Sequence, residues 1–464
     1  MVGKLLIKNA RYAVTMNGAR EVIKHASVLI EAEKIIEVGP SRLVDSKADG
    51  ADVIDADGQI VLPGLINGHY HNNQQLARGL ADNTFLPTFL HDRIYPFESA
   101  MTPEDTHISS LCACIEAIKT GTTCFADPGG YNMEGVVRAV SEIGIRAVLS
   151  RSMIDINTKA RPIPGMMWEA TDQALAAGTE FVNSFDGAAG GRIKAWFSLR
   201  TERMVSDELC RKTKVKAEEL GVGIQTHVSG NPDSVNRHRE AFRNLTPLVR
   251  YEKAGLLGPN LLIVHANQLT GEEIELVQKY DVKIVYCPTA AFAGGYGGVN
   301  ARHLELISKG VTICLGSDAA PESNFSDMFR VMYSLGGHRD AKLNAALLPP
   351  EQMLEMLITN GAKALGWDEQ IGSLEVGKKA DLILVKTDSP EWIPLHNPIS
   401  NLVLASTGHS VDTVIIDGTV VMRNRKLTMV NEEATLQEGQ ERAESIAKRA
   451  GLEQFANPYW PVIE

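Results

Sequence analysis

Four short apolar runs in this chain each stop on a side chain of the kind that binds a metal ion, and this repetition limits the available folds more than any other feature. Val61-Leu62-Pro63-Gly64-Leu65-Ile66-Asn67-Gly68 leads into His69-Tyr70-His71, and residues 221–226 lead into His227. Residues 261–264 lead into His265, and 311–317 into Asp318. Side chains two apart on a strand face the same side. If residues 62–66 form a buried strand, His69 and His71 just past its end can present both imidazoles to one ion at about 2.0–2.1 Å. A His-x-His pair alone is equally compatible with two surface histidines on a loop. Four runs ending alike place ligand-type residues at one end of consecutive strands.

The rhythm between them is strand, helix, strand. Further apolar runs lie at 122–127, 145–149, 193–199 and 282–286, which makes eight strands counting from Leu62. Thr102-Pro103-Glu104-Asp105 opens a helix with an N-cap, a first-turn proline and acidic residues that complement the helix dipole. Ser206-Asp207-Glu208 and the capping box Thr270-Gly271-Glu272-Glu273 open two more. Eight parallel strands with crossover helices over roughly 300 residues predict an α/β protein built on a (β/α)8 TIM barrel. In that fold the active site sits at the C-terminal ends of the strands, where these histidines and Asp318 fall.

The flanks are different. Residues 1–60 read as short strands, with an Asp57-Gly58 hairpin turn inside 53–61. β character returns at 381–385 and at 414–421, the latter around Asp417-Gly418. A lone C-terminal β element would expose its edges, so both ends are expected to pair. The expected division is a discontinuous small β-sandwich domain (1–60 and 366–430), a barrel (61–365) and a C-terminal helical tail (431–464). The net charge of −11 argues against a nucleic-acid or anionic-membrane partner, both of which need clustered Lys and Arg. No apolar window approaches a membrane span. Six cysteines lie scattered in apolar runs without a CxxC pair, as expected of reduced core residues in a cytoplasmic protein.

These residues together resemble the amidohydrolase superfamily. More narrowly, they resemble the branch of cytosine, guanine and methylthioadenosine/S-adenosylhomocysteine deaminases and atrazine chlorohydrolase. The resemblance rests on Pro63-Gly64-Leu65-Ile66-Asn67 through His71, on Leu315-Gly316-Ser317-Asp318 and on Gly372-Ser373-Leu374-Glu375-Val376-Gly377-Lys378-Lys379-Ala380-Asp381. It implies that His69, His71, His227 and Asp318 hold one divalent ion, zinc with iron as the alternative, and that His265 polarises the water and the developing oxygen. A zinc-type ion brings bound water to a pKa of about 7, and Asp318 beside it can accept the proton. Relatives with two ions bridge them through a lysine or acid ending strand four. Lys194 lies too early in its strand for that, so a mononuclear site is expected, with Lys194 a solvated strand start. The branch commonly forms homo-oligomers.

One departure stands out. The deaminase branch usually carries a glutamate three residues after the strand-five histidine, which protonates a ring nitrogen, whereas this chain has Gly230. A positioned general acid contributes about 10²–10⁴ in rate, so another group acts or the substrate does not need one. Glu202 and Arg203, after strand four, are the candidates by topology, though charged loop residues are ordinarily solvated. His91 either contacts substrate or caps a local turn. In the glycine-rich run after strand seven, Tyr296 or Phe292 either touches substrate or belongs to a plain surface loop. Trp168, Met166 and Met167 read as packing, and the remaining histidines are assigned no role.

The expectation is a metal-dependent hydrolase that adds hydroxide to an electrophilic sp² carbon. It would cleave a C–N bond of a heterocyclic or urea- or amide-like small molecule. Dehalogenation of a chlorinated heterocycle such as an s-triazine and a non-catalytic metal-binding relative are the alternatives.

Overall fold

The structure, a computed structural model, describes residues 3–457 except 83, 86–87, 158–161, 296–300, 336–338, 341–344 and 347, and also residue 460. Eight parallel strands stand in chain order around a barrel. They are β6 (Leu65–Asn67), β7 (Thr122–Asp127), β8 (Arg146–Met153), β9 (Ile193–Thr201), β10 (Ile224–Val228), β11 (Leu261–His265), β12 (Lys283–Tyr286) and β13 (Ile313–Leu315). They precede a two-stranded ribbon of β14 (Arg339–Asp340) and β15 (Ala345–Ala346). Nearly every barrel residue is buried, as expected of parallel strands covered by helices on the outer face. The expected caps are present. Thr102 and Asp105 form a capping box, as do Thr270 and Glu273, and Ser206 accepts from the Leu209 amide.

The ring closes between its first and last strands just beyond their ladders. The Gly68 amide donates to the Leu315 carbonyl at 2.8 Å and the Asp318 amide to the His69 carbonyl at 3.0 Å. The Asn67 side chain bridges the same seam. Its Oδ1 accepts from the Ser317 amide at 3.0 Å and its Nδ2 donates to Ser317 Oγ at 2.7 Å.

The strands at the two ends of the chain form a second, mixed sheet. From the N-terminal part come β1 (Lys4–Val14), β2 (Val22–Glu31), β3 (Lys34–Pro40), β4 (Asp52–Asp55) and β5 (Gln59–Pro63). From the C-terminal part come β16 (Leu382–Lys386), β17 (Val411–Ile416), β18 (Thr419–Arg423) and β19 (Lys426–Leu427). β16 pairs antiparallel with β5, so the expected union of the two ends is one continuous nine-stranded sheet. It has its own core around Ile7, Val28, Ile35, Val61, Leu382 and Ile415.

Two local expectations need correction. Residues 62–66 are not one strand. Residues through Pro63 belong to the terminal sheet, and the barrel begins at Leu65. The handover is Gly64, whose amide donates to Asp381 O while the next amide donates to Gly121 O. A Cβ on Gly64 would lie 2.0 Å from Thr123 Oγ1, so only glycine allows the close crossing. Asp57-Gly58 makes a turn, with Gly58 at φ +70°, but not a hairpin. β4 and β5 instead pair parallel with successive parts of β1, whose register shifts between Ile7 and Ala10. The second Asp-Gly does make the β17–β18 hairpin, with both residues left-handed.

The C-terminal helix, Glu432–Arg449, lies on the barrel helix Pro103–Lys119. Arg442 and Arg449 both pair with the buried Asp105. No helix of the described residues is long and apolar enough to cross a membrane. All six cysteines are buried and free.

Candidate metal centre and active-site pocket

The strand-end side chains converge on one point. His69 and His71 follow β6, His227 lies in β10, His265 ends β11 and Asp318 follows β13. The ligand nitrogens of His69, His71 and His227 all lie within 4.8 Å of one another. His71 Nε2 and His227 Nε2 are 3.3 Å apart, with the two rings stacked. Asp318 Oδ1 stands 3.5 Å from His69 Nε2 and 3.8 Å from His71 Nε2, and its Oδ2 stands 3.8 Å from His265 Nε2.

The surroundings orient these groups for an ion. His227 Nδ1 donates to the Arg200 carbonyl at 2.6 Å, which leaves Nε2 with its lone pair toward the centre. Both ring nitrogens of His69 and Nδ1 of His71 are sealed from solvent without a hydrogen-bond partner. Buried polar atoms are rarely left so, and a cation among them would give these nitrogens a partner. Burial, and then the charge of His69, hold His71 and His227 well below the usual histidine range, so both imidazoles are neutral. Burial opposes ionisation of Asp318, but the imidazoles of His69, His265 and His71 around it keep its carboxyl well below the ordinary value. Cys287 lies in the same cluster, yet burial and then the charge of Asp318 push its thiol far up and keep it protonated.

The backbone is bent at the same places. His265, Ala266 and Asp318 have φ of 75°, 53° and 63°, a left-handed conformation that non-glycine residues adopt at a cost. His303 supports the bend, with Nε2 3.2 Å from the His265 carbonyl and its ring 4.0 Å from that of Tyr286. Sequence pattern gave His303 no role because it sits mid-helix, away from any strand end.

A cavity opens above the centre, lined by His71, His227, His265 and Asp318 together with Glu202, Arg203 and His91. Glu202 is 1% exposed, and its carboxylate accepts from Thr201 Oγ1 at 2.7 Å and Ser234 Oγ at 2.6 Å. It is therefore not the solvated loop residue of the alternative. His91 packs edge-on against the Tyr95 ring at 5.3 Å. Tyr296 lies outside the described residues. Lys194 is at the opposite end of β9, with its ammonium on the Gly366 carbonyl and 4.2 Å above the Trp367 ring, so it is packed rather than solvated and remote from the centre. Pattern missed Arg200, Ser234, Arg237, Asn267 and Glu322 on the cavity wall. Arg200 stands at a strand end and was open to the same reasoning, had that reasoning extended beyond metal-ligand residue types. Burial, then the charge of Asp318, raises the Glu322 carboxyl to about 8.

Gly230 also lines the cavity, against His265. A Cβ there would stand 3.2 Å from His265 Cδ2. Gly230→Ala is therefore expected to tilt His265 by a few tenths of an ångström and to lower kcat about tenfold with metal content unchanged, as steady-state kinetics beside elemental analysis would record.

Residues 60–421 match the Amidohydrolase family. A 5'-deoxyadenosine deaminase of Methanosarcina acetivorans is 34% identical over 449 residues, covering 96% of this chain and 99% of the relative. A 5-methylthioadenosine/S-adenosylhomocysteine deaminase of Desulforudis audaxviator is 33% identical with the same coverage. Among solved structures, an adenosine deaminase from Xanthomonas campestris with bound zinc superposes with a TM-score of 0.88 at 27% identity, over 96% of this chain and 99% of that one. Atrazine chlorohydrolase from Arthrobacter aurescens, at 21% identity, TM-score 0.87 and 95% and 100% coverage, shares the fold. The chain belongs to the amidohydrolase family and is a hydrolase of carbon–nitrogen bonds.

Proposed function

We propose that the chain is a mononuclear metal-dependent deaminase of amino-substituted heterocycles, with His69, His71, His227 and Asp318 as ligands and zinc as the ion. The observation that carries this reading is the convergence of those four side chains around ring nitrogens that are buried and otherwise unpartnered. The zinc in the Xanthomonas neighbour and the deaminase names of the full-length relatives support it. The likeness to atrazine chlorohydrolase concerns the fold, so it adds nothing to a dehalogenating reading.

An ion held there would supply a water with a pKa of about 7. The chain's own residues handle the protons. Asp318, kept anionic by its neighbours, takes one proton from the attacking water and passes it to the ring nitrogen beside the attacked carbon, then takes the second from the same oxygen as the carbonyl forms and gives it to the amino group, which leaves as ammonia. His265, neutral and 3.8 Å from the second Asp318 oxygen, steadies the oxygen that becomes the product carbonyl. Glu202, Arg203 and His91 contact the substrate from the cavity wall. A homo-oligomer in the reducing cytoplasm completes the proposal, and the six free thiols are consistent with that compartment.

The test combines elemental analysis with an ammonia-release assay on adenosine, 5'-deoxyadenosine, 5'-methylthioadenosine, guanine and cytosine. About one zinc per chain with ammonia from at least one of these is the expected result. Two ions per chain would overturn the ligand assignment, and ammonia from none would overturn the deaminase reading.

A further inference from the structure

Asp318 belongs to two groups of ligand-type side chains, and the metal centre described above uses one of them. Its Oδ1 faces His69 and His71, whereas its Oδ2 stands 3.8 Å from His265 Nε2. Cys287 completes the second group. One ligand atom from each of His265, Cys287 and Asp318 lies within 4.8 Å of the other two. This trio and the three histidines are the two such groups among the described residues. The order of the barrel explains the trio, because His265 ends β11, Cys287 directly follows β12 and Asp318 follows β13, three neighbouring strands. Their ends share one face of the barrel.

The residue types suit a soft divalent cation. Zinc accepts thiolate, imidazole and carboxylate in one site, and a thiolate selects such ions over magnesium or calcium. The Cys287 thiol, protonated at rest, hands its proton to solvent as the bond from sulfur to the ion forms. The Glu322 carboxyl on the cavity wall bears on both Asp318 and Cys287 and is in no ion pair among the described residues, so a cation beside it supplies the positive neighbour it lacks. Taking the mononuclear deaminase reading as its basis, we propose that His265, Cys287 and Asp318 form a second cation site, entered by a zinc-type ion when metal is in excess, and that occupancy stops turnover. The site is the weaker of the two. It has three ligands where the first has four, must expel a proton, and shares Asp318 with an ion of the same charge. Turnover stops because His265 and Asp318, which handle the oxygen and the protons of the reaction, are then held by the second ion.

The test starts from wild type, Cys287→Ala and Cys287→Ser, each loaded with one zinc per chain, and adds zinc or cadmium in steps. Cys287→Ser keeps the volume of the side chain in case Cys287→Ala unsettles the core. Equilibrium dialysis is expected to find a second zinc in wild type, bound about 100-fold more weakly in Cys287→Ala, the upper end of what loss of a supporting partner alone costs. Cadmium is expected to raise a thiolate-to-metal absorption band in the ultraviolet in wild type and in neither variant. Ammonia release is expected to fall in step with the second ion in wild type and to resist the same excess in both variants. Without added metal the variants are expected to turn over within about threefold of wild type. A second ion held equally by the variants, no thiolate band in wild type, or inhibition that persists in both variants would overturn the proposal. If no compound yields ammonia, the deaminase reading fails by itself, and the dialysis and the cadmium band decide the second site alone.

Discussion

Asp318→Asn is expected to lower kcat by about 10²–10⁴, or below detection, while the protein remains folded. The substitution keeps the shape of the side chain and the acceptor for the Ala319 amide at 2.8 Å, but removes the negative charge shared among three histidines. Without that charge the side chain can neither take a proton from water nor balance an ion between His69 and His71. The loss should therefore appear both in turnover and in metal content. Kinetics on the best substrate, with elemental analysis and circular dichroism on the same preparation, would separate the effects. Activity within tenfold of wild type would remove Asp318 from the proton path.

Asp381→Ala is expected to destabilise the fold by about 3 kcal/mol, because it leaves the buried Arg146 with only the longer contact to Asp417 at 3.3 Å. Arg146 at the start of β8 donates from Nε to Asp381 Oδ2 at 2.7 Å and from Nη2 to Oδ1 at 2.9 Å, and both side chains are 1% exposed. The pair joins the barrel to the terminal sheet, since Asp381 directly precedes β16 and also accepts from the Asp417 amide. Its removal should lower the thermal midpoint by several degrees without changing metal content in the surviving folded fraction. An Arg146→Met, Asp381→Leu double variant should recover much of the loss, because a well-packed apolar pair often equals a buried ion pair. A single variant that melts with wild type would show that water reaches Arg146.

The histidines and Asp318 were legible in sequence because an apolar run fixes a strand, the strand fixes its end, and a parallel barrel gathers those ends on one face. The break at Pro63-Gly64 was visible too, but not its meaning. Which sheet each half joins depends on Asp381 and Gly121, hundreds and tens of residues away. The Asp57-Gly58 turn was read correctly as a turn and wrongly as a reversal. A local signal sets φ at Gly58 but not the partner, and β1 pairs with both flanking segments. Ser234 and Glu322 were missed because their importance comes from sharing one cavity, and no spacing along the chain encodes that.

The barrel seam carries a final implication. Among the proposed ligands, His69 hangs from the first strand of the ring and Asp318 from the last, and between those strands backbone bonds from Gly68 and Asp318 and the Asn67 side chain complete the circle. An ion bound to both residues would be a clasp as well as a reactant. Metal occupancy and ring closure then become linked equilibria, in which tightening one favours the other. A chain stripped of its ion would keep seven continuous strand junctions and a weakened eighth. The apoprotein would thus be a slit ring whose opening runs straight through the chemistry.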